Sequence, residues 1–163
     1  MSTINRAARI LMGVAVVLST GVLWAAAQAQ TEATDWTSGH YEGTREQTLE
    51  LMGYYKSIEL TPEQEGIRRQ ALSSMPAPCC NNFSAATCCC ECNLSRSIWG
   101  LSKLLITRHE ADATMVREAV EAWIAALNPS GYAGNTCNTG RCNLPFKDGG
   151  CGGMMEHNLI DGR

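Results

Sequence analysis

Clustered positive charge, aromatic side chains and recognisable catalytic motifs are all scarce in this chain. Its 163 residues carry 13 Lys and Arg against 16 Asp and Glu, a formal net charge of −3. Nucleic acid and anionic lipid both select clustered Lys and Arg, so neither is expected as a partner. The aromatics number two Phe, four Tyr and four Trp, which limits the payload of large side chains available to one modest core. No G-x-S-x-G, H-E-x-x-H or P-loop pattern occurs, and no catalytic residue is assigned. Covalent haem is excluded as well, because Asn93 and not His follows Cys92. No segment alternates convincingly as a strand, so a C-x-x-C pair here lacks the α/β setting in which redox dithiols normally sit.

Long apolar runs are also missing. Arg6 and Arg9 form a short basic start, followed by an apolar stretch from Ile10 to Leu23 and the small-residue run Trp24-Ala25-Ala26-Ala27-Gln28-Ala29. That stretch is shorter than the ~20 residues a spanning helix needs. Positive start, apolar middle and A-x-A end describe a cleavable secretory signal over residues 1–29, cut after Ala29. The first cysteine is Cys79, so no lipid-anchored N-terminal cysteine is available. Removing 1–29 takes two arginines and no acid, leaving 11 Lys and Arg against 16 Asp and Glu, a net charge of −5. The mature chain is expected to be secreted or periplasmic, acidic and not embedded in a membrane.

Residues 30–43 lack periodicity and read as a flexible leader. Beyond them, 44–163 read as one helical, cysteine-rich domain. Thr44 with Gln47 fits a capping box, and Leu51, Tyr55 and Ile58 recur at helical spacing. Thr61-Pro62-Glu63-Gln64 starts a second helix whose face is Ile67, Ala71, Leu72 and Met75. Pro76 and Pro78 end it. Leu94, Ile98, Leu101 and Leu105 mark a third helix to Arg108; Asp112 caps a fourth, faced by Val116, Ala119, Val120, Trp123 and Leu127. Trp99 and Trp123 read as core, while His40 falls in the leader and His109 at a helix end. The expected fold is mainly α, a bundle of about four helices. An irregular tail over 130–163 follows, with seven glycines and three cysteines in 130–153. A loop so long needs a covalent or metal staple.

Against this background the cysteines stand out. Six of nine fall in the run CCNNFSAATCCCEC, as Cys79, Cys80, Cys88, Cys89, Cys90 and Cys92. A helix capped by Ser84 would bring Cys88, Cys89 and Cys92 onto one face. Thiolates at this density favour soft ions such as Cu(I), Zn(II) or an iron–sulfur cluster. A weaker second set is Cys137, Cys142, Cys151 and His157, separated by four, eight and five residues. Met154 and Met155 add thioethers that Cu(I) accepts. Oxidation is the competing fate, because exported cysteine-dense domains are commonly stapled by disulfides. Nine is odd, so at least one thiol is left free, intermolecular or metal-bound.

The layout from Leu72 to Leu127, with Pro76-Ala77-Pro78-Cys79-Cys80 before Cys88–Cys92 and a helical region, resembles bacterial secreted proteins bearing a PCYCGC-type motif, although Cys79-Cys80 does not reproduce a C-x-C-x-C core. The C-C and C-x-C runs are similar to those of metallothioneins. Cys88 and Cys92 resemble the ligand pairs of bundle-type copper-storage proteins. The last two resemblances, which concern only the cysteine cluster, imply soft-metal handling. The leading expectation is an exported, non-enzymatic protein that binds or stores copper or zinc, possible partners being the ion and another exported protein. The alternatives are a disulfide-stapled structural or interaction module and a thiol–disulfide oxidoreductase using Cys89 and Cys92.

Overall fold

The computed structural model describes residues 34–156. The expected signal over 1–29 and the candidate ligand His157 lie outside those residues. Four α-helices form the described chain: α1 Arg45–Ser57, α2 Pro62–Ser73, α3 Asn93–Arg108 and α4 Ala113–Leu127. The fold is mainly α, as the helical spacing indicates. A short antiparallel hairpin, β1 Pro76–Ala77 with β2 Cys80–Ser84, separates α2 from α3. The tail after α4 is irregular except for one 3-10 turn at Phe146–Asp148.

Each helix begins where its side chains can satisfy the orphan amides of a first turn. Thr61 and Gln64 close a complete capping box at α2, with bonds of 3.0 and 3.3 Å. At α1 the box is half formed. Thr44 Oγ1 accepts from the Gln47 amide, but the Gln47 carboxamide reaches past Thr44 to accept from the amides of Glu42 and Gly43. Asp112 Oδ1 accepts from Thr114 and Met115 to start α4. At the other end of α1, Lys103 on α3 donates to the carbonyls of Tyr55 and Ile58, each at 2.8 Å. A cation on exposed carbonyls is favoured by the helix dipole.

Leu51, Leu72, Leu94, Ile98, Leu101, Leu104, Val116, Val120 and Trp123 are fully buried and make the core. Helix α3 lies at its centre, packed against the other three helices. Gly100 permits the closest approach, because a Cβ there would lie 1.8 Å from the Leu51 carbonyl oxygen of α1. Trp123 donates to Ser97 Oγ at 3.0 Å, and Ser97 in turn donates to the Leu94 carbonyl. A buried indole thus finds the partner it requires.

Two segments differ from their sequence-based readings. Residues 34–43 have no helix or strand, yet Trp36 is 5% exposed and sits edge-on to Trp123 with centroids 6.2 Å apart. Tyr41 donates to the Trp36 carbonyl and completes the aromatic cluster. One indole's apolar area is enough to dock a stretch that carries no period. The expected helix from Ser84 to Cys92 is the second difference. The chain from Ala85 to Glu91 is irregular. Ser84 Oγ is hydrogen-bonded to Thr87, the Ala85 amide closes the hairpin onto the Met75 carbonyl, and the Ala85 carbonyl accepts from Trp99 Nε1. Ala85 is therefore held by tertiary bonds that a helix would forfeit.

The contact at Gly100 sets a prediction. Gly100→Ala forces α1 and α3 apart and should lower unfolding free energy by about 3 kcal/mol. A denaturant titration in which its midpoint matches the parent would refute the close packing.

Candidate metal centre

The hairpin, the loop after it and the start of α3 bring five of the first six cysteines together from one side, Cys80 excepted. Cys79 lies buried in the turn between β1 and β2, and Cys92 is the N-cap residue of α3. Cys88, Cys89 and Cys90 occupy the irregular stretch between them.

The tail supplies the other side. Its Cys137 amide donates to the Cys79 carbonyl, and the amides of Cys151 and Gly153 both donate to the Cys142 carbonyl. It then runs into the N-terminus of α3, where the Asn93 amide donates to the Gly153 carbonyl at 2.9 Å and the Leu94 amide to the Cys151 carbonyl at 3.2 Å. Cys92 offers no side-chain cap, so tail carbonyls satisfy those amides instead. The Asn93 carboxamide adds donations of 2.7 and 3.0 Å to the carbonyls of Gly152 and Met155, and Arg96 reaches the Met154 carbonyl. Glycine makes the route passable. At Gly134 (φ +76°) a Cβ would stand 1.9 Å from the Asn81 side chain.

Eight of the nine thiols form one connected group that mixes the two sets distinguished in the sequence. Cys89 and Cys90 join Cys137 of the tail, with every sulfur of this trio within 4.8 Å of the others. Cys79, Cys88, Cys90 and Cys151 lie close enough to Cys92 to perturb its ionisation. Cys142 contacts Cys137, and Cys137 lies 3.6 Å from Cys79 and links the trio to the buried sulfurs. Cys80 stands apart. It is buried in β2, and among the described residues it makes no hydrogen bond to another thiol. Met154 and Met155 are exposed. His40 is exposed and His109 ends α3, both remote in role from the sulfurs.

The electrostatics of the group have one centre. Interactions with the Cys151, Cys79, Cys88 and Cys90 thiols hold the Cys92 thiol well below the ordinary 9.0 despite its burial. Its position at the positive end of α3 acts in the same direction. The neighbours move the other way. Cys79 is pushed up through its bonds to Cys151 and Cys92 and by burial, and Cys88 through its bonds to Cys79 and Cys92. Cys90 is raised by its bond to Cys92 and by desolvation. For Cys151 the bond to Cys79 lowers the value, but the bond to Cys92 and burial outweigh it. Burial and the bond to Cys142 raise Cys137 from 9.0 to about 12. Once one of these thiols carries charge its neighbours are harder to ionise, because adjacent negative charges in a desolvated site repel. A soft cation placed there would displace thiol protons and neutralise the repulsion.

Two participants escaped the sequence reading. Asn93, adjacent to Cys92, has the short amide side chain that suits a buried bridge, but its partners come from sixty residues downstream. Tyr132 has a buried hydroxyl with no hydrogen-bond partner. Burial first, and then the electrostatic influence of the Cys79, Cys151 and Cys92 group, drive its ionisation upward. A phenol in that position is a ready donor to sulfur that carries charge.

Asn93→Ala removes two bonds that seat the tail and should cost about 2 kcal/mol. Amide exchange at Cys151–Gly153 should accelerate more than exchange in α4; equal protection in both places would contradict the anchoring role. The thiols also set a pH dependence for the metal-free, reduced chain. In the unfolded chain the Cys137 thiol ionises near 9.0, but in the fold near 12. Its stabilising share is complete below pH 9 and is lost as pH rises through 12. Urea midpoints measured from pH 8 upward should fall, and fall less for Cys137→Ser; parallel curves would exclude this linkage. No known protein family, characterised protein or solved structure matches the chain.

Proposed function

We propose that this protein is an exported, soft-metal-binding protein that holds Cu(I) or Zn(II) in a thiolate cluster shared by the 79–92 segment and the tail. The observation that carries this reading is the Cys89, Cys90 and Cys137 trio, with its sulfurs within 4.8 Å of one another and five further thiols connected to it. Three soft donors within that distance suit thiophilic ions and offer nothing to hard cations, which take oxygen. The basic-then-apolar N-terminal sequence supports export and a secreted or periplasmic site. Binding or storage, without catalysis, is the role assigned. Among the described residues no helix is long and apolar enough to cross a membrane.

One observation favours a second reading, the disulfide-stapled module. The Cys79 and Cys137 sulfurs are 3.6 Å apart, close enough for a bridge after a small shift of the tail. A redox couple of Cys89 with Cys92 has less support, because Cys92 is fully buried and a reactive dithiol needs access.

Metal analysis and thiol counting on the exported chain separate these readings. The proposal expects stoichiometric copper or zinc, with thiols that react only after chelation. At metal concentrations a hundredfold above the dissociation constant the stabilisation is about 2.7 kcal/mol, so chelation should lower Tm by roughly 10 °C. Cys80→Ser should leave the metal content unchanged, whereas Cys92→Ser should reduce it. Eight oxidised cysteines without metal would instead establish the stapled module.

A further inference from the structure

We infer that the thiol group is divided by function, an inner set around Cys92 retaining metal and the outer trio of Cys89, Cys90 and Cys137 exchanging it with an incoming thiolate. The inference rests on the metal-binding reading and assigns the second reactant of the same site.

Burial makes the division. Cys79, Cys92 and Cys151 are at most 1% exposed, and Cys88 is half-buried against them. In the trio, Cys89 is exposed while Cys90 and Cys137 are half-buried. Ligand number makes it as well. The trio provides three sulfurs, and zinc sites that hold their metal permanently are closed by four. A site with three protein ligands keeps one position open to a group from outside. The exposed face at Cys89 is where that group arrives, and its chemistry must match the ion, so a thiolate is preferred over water or carboxylate. A small thiol and a cysteine on a partner protein share that chemistry.

The two sets also touch at two points. Cys137 lies 3.6 Å from Cys79, and Cys90 is near enough to Cys92 to perturb its ionisation. An ion can therefore pass between them by replacing one sulfur at a time, without ever losing all its ligands. In each replacement the incoming thiol gives its proton to solvent and forms a metal–sulfur bond as a protein sulfur leaves and takes a proton. No electrons move. Cys142, which contacts Cys137 but lies outside the compact trio, belongs to neither end of this path.

The test uses the full reduced chain loaded with Zn(II) and mixed with a chromophoric zinc chelator, with and without glutathione as the probe thiol. Two release phases at least tenfold apart are expected, the faster rising in proportion to glutathione. Cys89→Ser and Cys137→Ser should each abolish the fast phase and lower bound zinc by one equivalent while the slow phase persists. Cys89 is exposed, so its variant should keep the parent's helical circular dichroism and remain interpretable. Cys142→Ser should leave the fast phase unchanged. Release in one thiol-independent phase, or a fast phase that survives Cys89→Ser, overturns the division. Loss of the fast phase in Cys142→Ser overturns it too, because the outer site would then be a closed set of four. A chain that binds no zinc or copper at all fails the metal-binding reading itself, a result distinct from any of these.

Discussion

The seating of the tail on the N-terminus of α3 is the constraint on which the site depends. A helix start presents amides that must be satisfied, and here the residue at the N-cap is a cysteine with no capping bond. Carbonyls of Cys151 and Gly153 fill that need. The same contacts fix Cys151 beside Cys92 and, through the Cys142 carbonyl, place the rest of the tail's thiols against the hairpin. An ordinary Ser or Asp cap would have released the tail from this duty. A weak cap thus becomes the point at which two distant segments are joined.

The helices were legible because each carries several agreeing signals. Leu94, Ile98, Leu101 and Leu105 repeat at helical spacing and are buried together, and Thr61 and Asp112 cap as their side chains suggest. The Ser84–Cys92 segment was misread for a physical reason. A spacing of four puts Cys88 and Cys92 on one face only if the backbone is helical, and local composition cannot foresee that Met75 and Trp99 hold Ala85 otherwise. Trp36 was hidden in the same way, since one aromatic without a period gives no pattern to detect.

The cysteines were legible as a site but not as a geometry. Their density announced soft-donor chemistry, whereas their grouping depends on how the tail folds back. Sequence proximity placed Cys80 with its neighbours; in the structure it is buried in the β2 strand of the hairpin, without a hydrogen bond to another thiol among the described residues. It separated Cys151 from Cys92 by nearly sixty residues, and the cap contacts reunite them. Spacing rules assume that ligands near in sequence share a local element. In this chain the elements that share them meet only in three dimensions.

The thiols lie on both flanks of α3 and α4, with Cys79–Cys92 before the helix pair and Cys137–Cys151 after it. A ribosome or a translocation pore delivers a chain vectorially, so the earlier cysteines emerge while their partners are still unmade. During that interval they have each other and any oxidant or stray ion as company. The α3–α4 hairpin, whose contacts are local, can form quickly and shortens the loop that must close before the late sulfurs arrive. Order of emergence therefore becomes part of the chemistry, with the intervening hairpin acting as the timer that decides which sulfurs meet first.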